Sequence, residues 1–429
     1  MDTQPQPRRR VAVIGGGIAG LSAAWLLSRR QDVFLFEAEP RLGGHSHTVE
    51  VAHGGARIPV DTGFIVYNEE NYPNLTALFQ HLGVATEASS MSFAVSMEDG
   101  AFEYAGGNGA RGVFARPGHM ASPRFWRLLG EIVRFFSDAR ASLARGLDER
   151  TTLADFLDRG RYGSDFRDRH LLPMASAVWS GAPDRMLSFP CASFLRFFDN
   201  HGLLRLRNRP CWRTVTGGSR TYVRRLADDT AGTITAGLAA QRVVRENGGA
   251  TIALGDGSQF RADHVVIATH ADQALALLGD ADGMETKALG AFRYSRNRTI
   301  LHSDPSLMPR RKPAWASWNV IGGETAEPAA VTYWMNRLQN IDPAKPLFVT
   351  LNPPRPVRDD AVFGAFTYEH PQYDDGALAA QRSLTRRNGA RNTWFCGSYL
   401  GYGFHEDALS SSIAIARAFG ADPPWEAAP

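Results

Sequence analysis

Three groups of residues have the types and spacing to do chemistry. The first is a glycine set, Gly15, Gly17 and Gly20, with Gly16 between the first two. Gly15 permits a tight turn, Gly17 lets backbone approach a pyrophosphate, and Gly20 lets a helix pack close to a strand. The second is Glu37, an acid able to accept hydrogen bonds from both hydroxyls of a ribose. The third lies near the end of the chain, at Tyr402, His405, Glu406 and Asp407. Imidazole titrates near neutrality, so His405 is a candidate for proton handling. Tyr402 and Glu406 join it as candidate catalytic groups, and Glu406 and Asp407 can equally cap a helix. His45 and His47 form an H-x-H pair with no further ligands nearby in sequence, so no metal site is expected.

The elements that must position these groups are legible. Val11–Ile14 is a short apolar run of the kind that makes a buried parallel strand. Residues 18–30 read as a helix whose N-terminus, at Ile18 and Ala19, offers free N–H groups and a positive dipole end to a diphosphate. A second apolar strand, Val33–Phe36, ends at Glu37 and Ala38. Strand, glycine turn, helix, strand and acid in this order predict a dinucleotide site.

The following residues indicate which dinucleotide. Glu37-x-x-x-Arg41-x-Gly43-Gly44 resembles the flavin-containing amine oxidase and phytoene desaturase superfamily. The resemblance implies FAD rather than NAD, with the paired glycines running beneath the flavin. Where those proteins often carry Arg or Lys, this chain has His45. The same resemblance implies further contacts with the cofactor. Asp61-Thr62-Gly63-Phe64 corresponds to a segment passing near the flavin, although Asp and Gly also suit a plain turn. Val243 and Val244 would lie beside the adenine, and Ala268-Thr269 ends another strand of the nucleotide domain. Gly397 and Ser398 would reach the ribityl phosphate. The helix starting near His405, Glu406, Asp407 and Ala408 would point its N-terminus at the flavin, where reduction builds negative charge.

Bulk properties set bounds. A chain of 429 residues suffices for two domains, and a net charge of +3 argues against nucleic acid as the main partner. Cys191, Cys211 and Cys396 show no paired spacing, which suits a reducing compartment. Arg8-Arg9-Arg10 and the apolar run to Leu27 mimic a secretion signal, but strand, turn and helix already account for that run. No other stretch reaches the ~18 uninterrupted apolar residues that span a bilayer. A cytoplasmic protein is expected, with peripheral contact at the inner membrane face left open.

The expected fold class is α/β (α+β overall). A Rossmann-type FAD-binding domain comprises residues 1–90, 211–285 and 386–422. A discontinuous, amine-oxidase-like substrate domain of antiparallel sheet plus helices comprises 91–210 and 286–385. Residues 49–68 read as a hairpin and turn, and a helix from Asn71 is closed by Gly83. Gly107–Gly112 repeats GxGxxG, yet no long buried strand precedes it and Pro117 interrupts the helix it would need, so no second nucleotide site is expected. From Ser122-Pro123 a helix begins, with Phe125, Leu128, Leu129, Ile132 and Phe136 on one face. Trp126, Val133 and Phe135 broaden that face, and Arg124, Arg127, Arg134, Arg140 and Arg145 are interleaved. Either this helix is core-packed with solvated arginines, or it lies at a lipid interface. Phe194, Leu195, Phe197 and Phe198, near Arg196 and Arg205, form a second aromatic-basic patch. Residues 105–210 thus look like a helical insertion walling an apolar substrate tunnel. Strand-like runs follow to Leu351, and Phe292–Leu301 contains no lysine, which weighs against amine oxidation.

Gly43-Gly44-His45-Ser46-His47 and Gly401-Tyr402-Gly403-Phe404-His405-Glu406-Asp407 resemble one bacterial branch of the superfamily. Its members are associated with enzymes that methylate or cyclopropanate membrane fatty acids, and some with furan fatty acid formation. The resemblance implies a lipid substrate, a methyltransferase as a candidate partner, and desaturation of a methyl-branched unsaturated acyl chain by hydride transfer to flavin N5. A double-bond isomerase, a flavin-bound lipid carrier and an amine oxidase are the alternatives.

Overall fold

The computed structural model describes residues 7–148, 150–179, 186–246, 248–322 and 330–426. The chain opens with β1 (Arg10–Ile14), α1 (Ile18–Ser28) and β2 (Asp32–Glu37). The hairpin β3 (Thr48–His53) and β4 (Ala56–Asp61) follows, then α2 (Pro73–His81). A second hairpin, β5 (Phe93–Met97) and β6 (Phe102–Gly106), leads to the helices α3 (Pro123–Arg145), α4 (Leu172–Trp179) and α5 (Cys191–Asn200). The chain returns through β7 (Trp212–Val215), α6 (Arg220–Asp228) and β8 (Thr233–Ala236). Next come β9 (Ala240–Glu246), β10 (Gly249–Leu254), β11 (Gln259–Ala262) and β12 (His264–Ile267). Five long-range strands are then laid down: β13 (Arg293–His302), β14 (Trp318–Gly322), β15 (Ala330–Trp334), β16 (Phe348–Leu351) and β17 (Val362–Gln372). The chain finishes with α7 (Asp375–Arg387), β18 (Thr393–Phe395) and α8 (His405–Ala418).

Parallel pairing builds a five-stranded sheet in the order β8-β2-β1-β12-β18. It is covered on both faces, so the run Val11–Ile14 at its centre is apolar throughout. Val11 and Val13 pack into a core with α1 and α8, whereas Ala12 and Ile14 pack with residues of the β9-β10-β11 sheet. All eleven residues of α1 are buried, which explains why that helix has no polar face.

The second large sheet has seven strands in the order β17-β13-β16-β15-β14-β5-β6. All its pairings are antiparallel except β14 with β5, which run parallel. The repeated GxGxxG follows β6 of this sheet and opens only a five-residue helix, Gly109–Val113, so it has none of the strand–helix crossover that a nucleotide needs. The helix α3 starts where the sequence places it: Ser122 caps it by accepting from the Phe125 N–H at 3.3 Å. Its inner face buries Phe125, Leu128, Ile132, Phe135, Phe136 and Ala139. Among the described residues no helix is long and apolar enough to cross a membrane.

Candidate functional site

The diphosphate end of the site is built from three backbone segments. Gly15 has φ +106°, and a Cβ there would meet the Ala268 carbonyl oxygen at 2.9 Å. A Cβ on Gly20 would lie 1.8 Å from the Gly15 carbonyl oxygen. These two positions therefore accept glycine alone, and they seat α1 against the ends of β1 and β12. The Gly43–Gly44 turn then runs alongside, with the Gly43 N–H donating to Gly16 O at 2.8 Å. Arg41 fixes that turn by donating to Gly44 O at 2.8 Å. Next to Gly17, by contrast, nothing lies within 4 Å of where a Cβ would be. The first turn of α1 holds no acidic residue, and the N–H groups that begin it, at Ile18 and Ala19, carry a positive dipole end beside this open space. The Glu37 carboxylate accepts from the Gly16 and Glu39 N–H groups at the end of β2, which orients it at the edge of the same space. Open backbone donors, an oriented acid and a glycine-walled cradle together fit a dinucleotide such as FAD. Thr269 follows Ala268 on the β12 side of this cradle, and Ala38 is exposed beside Glu37.

The opposite end is made by the loop before α8. The Gly397 N–H donates to Ser411 Oγ at 3.0 Å, which ties the end of β18 to α8 and leaves Ser398 partly open. Asp407 accepts from the Phe404 N–H at 2.9 Å, and burial raises its pKa to about 6 against the pull of the loop N–H groups. It is the cap of α8 that the sequence offered as one alternative. Glu406 also caps a helix, but a different one. Its Oε1 accepts from Asn74 N–H and Nδ2 at 3.0 and 2.7 Å, and its Oε2 from Leu75 N–H at 3.0 Å. Both carboxylate oxygens are thus committed to the N-terminus of α2, and the expected catalytic role of Glu406 gives way to a structural one. Ala408 is buried beneath them. Tyr402 is half open and its ring lies 6.0 Å from that of Phe197.

His405 also departs from expectation. Its Nε2 pairs with Ser46 Oγ at 2.8 Å, Ser46 Oγ pairs with the Tyr222 hydroxyl, and its ring stacks on Phe64 at 3.8 Å. Burial pushes its pKa down to about 3. It is a neutral, hydrogen-bonded member of a wall rather than a base poised near neutrality.

Sequence reasoning named His45 at the cofactor but missed the histidines that gather around it. His45, just past the paired glycines, is surrounded by His270 at the end of β12, His370 on β17, and His405. Ring centroids are 6.0 Å from His45 to His270 and 5.6 Å to His370. Burial, then neighbouring imidazoles, lowers His45 well below the usual range and takes His370 to about 4. Burial also lowers His270, against the opposing pull of Asp272 and Glu369. His45 Nε2 and His270 Nδ1 are enclosed without a hydrogen-bond partner. Glu369 Oε2 stands 3.6 Å from His270 Nδ1, and Tyr294 stacks on the His270 ring at 4.4 Å. His47 is apart from this group, paired with the Tyr368 hydroxyl at 2.9 Å. Among the described residues no group of His, Cys, Asp and Glu has the geometry of a metal site. The only signal for His270 in sequence was its place directly after Ala268-Thr269, and His370 had none.

Three further residues expected at the cofactor have side chains enclosed by protein partners. Asp61 is fully enclosed. Its oxygens accept from Ser219 N–H at 2.9 and 3.0 Å, Ser219 Oγ at 2.7 Å and Gln339 Nε2 at 3.1 Å, with Thr48 Oγ1 alongside. It ties the end of β4 to the turn before α6 and to Gln339, and burial raises its pKa to about 6. Thr62 is likewise buried, on His47 O and the Tyr368 hydroxyl. Gly63 matters by close approach: a Cβ would meet His45 O at 2.1 Å. Val243 is fully buried in the core with Ile252 and Leu278. The backbone beside Glu37 belongs to Leu238, whose N–H donates to Glu37 O at 2.9 Å, and Val244 lies further along β9.

The model of the family described as flavin containing amine oxidoreductase matches residues 18–298. Carotenoid phi-ring synthase from Chlorobaculum tepidum is 36% identical over 85 residues, covering 20% of this chain and 13% of that protein. Flavin-containing amine oxidase A from Canis lupus familiaris is 54% identical over 44 residues, or 10% of this chain and 8% of that one. The chain therefore matches only a small part of either curated relative. Solved structures match along nearly the whole length. The CLA-producing fatty acid isomerase from P. acnes superposes with a TM-score of 0.67 at 16% identity, covering 96% of this chain and 99% of that one. Cyclohexylamine oxidase from Brevibacterium oxydans gives 0.64 at 16%, covering 96% and 100%. Putrescine oxidase bound to putrescine gives 0.65 at 14%, covering 97% and 99%. At such identities the shared property is the fold.

Proposed function

The chain belongs to the flavin containing amine oxidoreductase family and is an FAD-dependent oxidoreductase, and from that premise we propose that it desaturates an apolar lipid, a methyl-branched unsaturated fatty acyl chain. The observation that carries this reading is an aromatic ladder between the helical insertion and the loop before α8. Phe194 stacks on Phe198 at 4.2 Å, Trp179 lies 4.6 Å from Phe197, and Phe197 stacks on Phe404 at 4.9 Å. Trp179, Phe194, Phe197 and Phe198 are themselves buried; the partly open Tyr402 and Phe404 that they back are the apolar surface an acyl chain would meet. The resemblance of the two histidine-bearing motifs to the branch associated with fatty acid modification narrows the acyl chain to a methyl-branched one. Lysine placement supports an apolar substrate over an amine. Lys287 and Lys312 are exposed, and Lys345 packs against Gly54, so none of the three joins the histidine group.

FAD, when bound, would supply the two-electron acceptor for removal of a hydride from one substrate carbon. The adjacent carbon must release a proton, and His270 has the attributes to accept it. It is neutral at neutral pH because burial lowers its pKa. It alone of the four clustered imidazoles has a carboxylate partner, Glu369, at 3.6 Å. With Nδ1–H turned toward Glu369, Nε2 carries the lone pair, and the imidazolium that forms gains a counter-charge. Its side chain keeps 29% exposure, enough for a substrate to reach. His45 and His370 crowd the site with neutral imidazoles, and the Ser46–His405 pair fixes the wall behind them. A second reading, double-bond isomerisation without a net oxidant, is favoured by the likeness to the P. acnes fatty acid isomerase.

The test is product mass. Flavin-loaded protein is incubated with phospholipids bearing methyl-branched unsaturated chains, and separately with putrescine. An acyl product two mass units lighter is the expected result. An isomer of unchanged mass selects the second reading. Peroxide release with putrescine alone overturns both, and unaltered lipid that co-purifies with the protein marks a carrier or a partner for a methyltransferase.

A further inference from the structure

The outer face of α3 carries an uncharged stripe. At about 100° per residue, Trp126, Gly130, Val133, Ser137, Ala141 and Ala144 fall on one stripe pointing away from the core, and all are exposed. Trp126 is 52% exposed and Val133 51%, with Met120 at 56% just before the helix. Large apolar side chains on an outward face need a reason. No carboxylate occupies this stripe. The two acids of α3 are turned aside: Glu131 accepts from the Gly163 N–H at 3.0 Å and Asp138 from the Tyr162 hydroxyl at 2.7 Å. Arginines border the stripe, with Arg127, Arg134 and Arg145 along one edge and Arg140 along the other. Arg127 and Arg145 have no partner among the described residues, whereas Arg134 lies over the Tyr162 ring at 4.1 Å. The indole N–H of Trp126 is already satisfied, donating to Met120 O at 2.9 Å. The ring can therefore leave water without stranding a donor.

We propose that α3 is a docking surface for an anionic phospholipid bilayer, with Met120, Trp126 and Val133 entering the acyl boundary and Arg127, Arg140 and Arg145 on the lipid phosphates. Charge selects this occupant over a second copy of the chain. A two-fold self-contact along the stripe would bring its arginine borders against their own copies, with no exposed acid of α3 between them to compensate. The surface is read from α3 alone and is independent of the substrate. It also explains why so amphipathic a helix wraps the aromatic ladder: its inner face packs on α5, whose Phe197 reaches the loop before α8.

The experiment is sedimentation of the flavin-loaded protein with vesicles. Vesicles of phosphatidylglycerol mixed with phosphatidylcholine are compared with phosphatidylcholine alone, at low and high salt. The protein should pellet with the anionic vesicles, be released by salt, and ignore the neutral ones. Trp126→Ala with Val133→Ser, and separately Arg127→Glu with Arg145→Glu, should each lower the bound fraction at least tenfold at unchanged flavin content. Failure to pellet with anionic vesicles, or undiminished pelleting of both variants, overturns the assignment. So does a concentration-dependent dimer that Trp126→Ala dissolves.

Discussion

Gly17→Ala separates what the glycines do for the cofactor from what they do for the fold. Gly17 has φ −73° and ψ −179°, values any residue adopts, and an added Cβ meets nothing within 4 Å. The free chain should therefore fold unchanged. Bound FAD is another matter, because that methyl group occupies the open space from which a diphosphate would accept the N–H groups of Ile18 and Ala19. Each charge-assisted hydrogen bond is worth about 1.5–3 kcal/mol. Losing one or two costs about 2–5 kcal/mol, which is a weakening of FAD by roughly 30-fold to several thousandfold. Gly20→Ala is the contrast. Its Cβ would sit 1.8 Å from Gly15 O, so backbone must move and fold and cofactor should fail together. The assay is titration of flavin-stripped protein with FAD by flavin fluorescence, beside thermal unfolding of the same samples. Parental affinity in Gly17→Ala, or a collapsed melting temperature, would refute the placement of the diphosphate.

Asp61 should make stability depend on pH in an unusual direction. Its folded pKa of about 6 lies above the model-peptide value of 3.8, so its contribution is fully present below the unfolded pKa and is lost as pH rises through 6. The stability gap between the parent and Asp61→Asn should therefore widen in the parent's favour by roughly 2–3 kcal/mol from pH 7 to pH 4, measured by urea unfolding; a gap that is constant with pH contradicts the buried-acid reading. Glu406→Ala should lower stability by about 1–2 kcal/mol through loss of the α2 cap and leave substrate-driven flavin reduction unchanged. A large rate defect at full flavin content would restore Glu406 to the chemistry. His270→Gln should slow flavin reduction by about 10²-fold or more, and His405→Gln by far less, because His405 is held neutral on Ser46. Equal rate losses in the two variants would remove the distinction between them.

The parts of the fold legible in sequence are those whose causes are local. The apolar run of β1, the glycine spacing and the acid ending β2 lie within 28 residues, Arg10–Glu37, and each restricts its own backbone. The Ser122-Pro123 start of α3 is equally local. What escaped depends on distant partners. Glu406 reads as a catalytic group or a cap of its own helix until α2, 332 residues earlier, presents Asn74 to it. Asp61 reads as a turn residue because Ser219 and Gln339 are invisible from its neighbourhood. Val243 and Val244 are both apolar, so pattern alone does not say which faces the core; in the fold it is Val243. The histidine group is the clearest case. His45, His270 and His370 come from the glycine turn, the end of β12 and the middle of β17, and only the meeting of the two sheets brings them together.

The most direct measurement is anaerobic. Flavin-loaded protein is mixed with a phospholipid carrying a methyl-branched unsaturated chain, and the oxidised flavin band is followed without oxygen or added acceptor. The account predicts that the band bleaches once, in proportion to the enzyme present, with a matching amount of acyl product two mass units lighter. A band that stays oxidised with this lipid but bleaches with putrescine would contradict it.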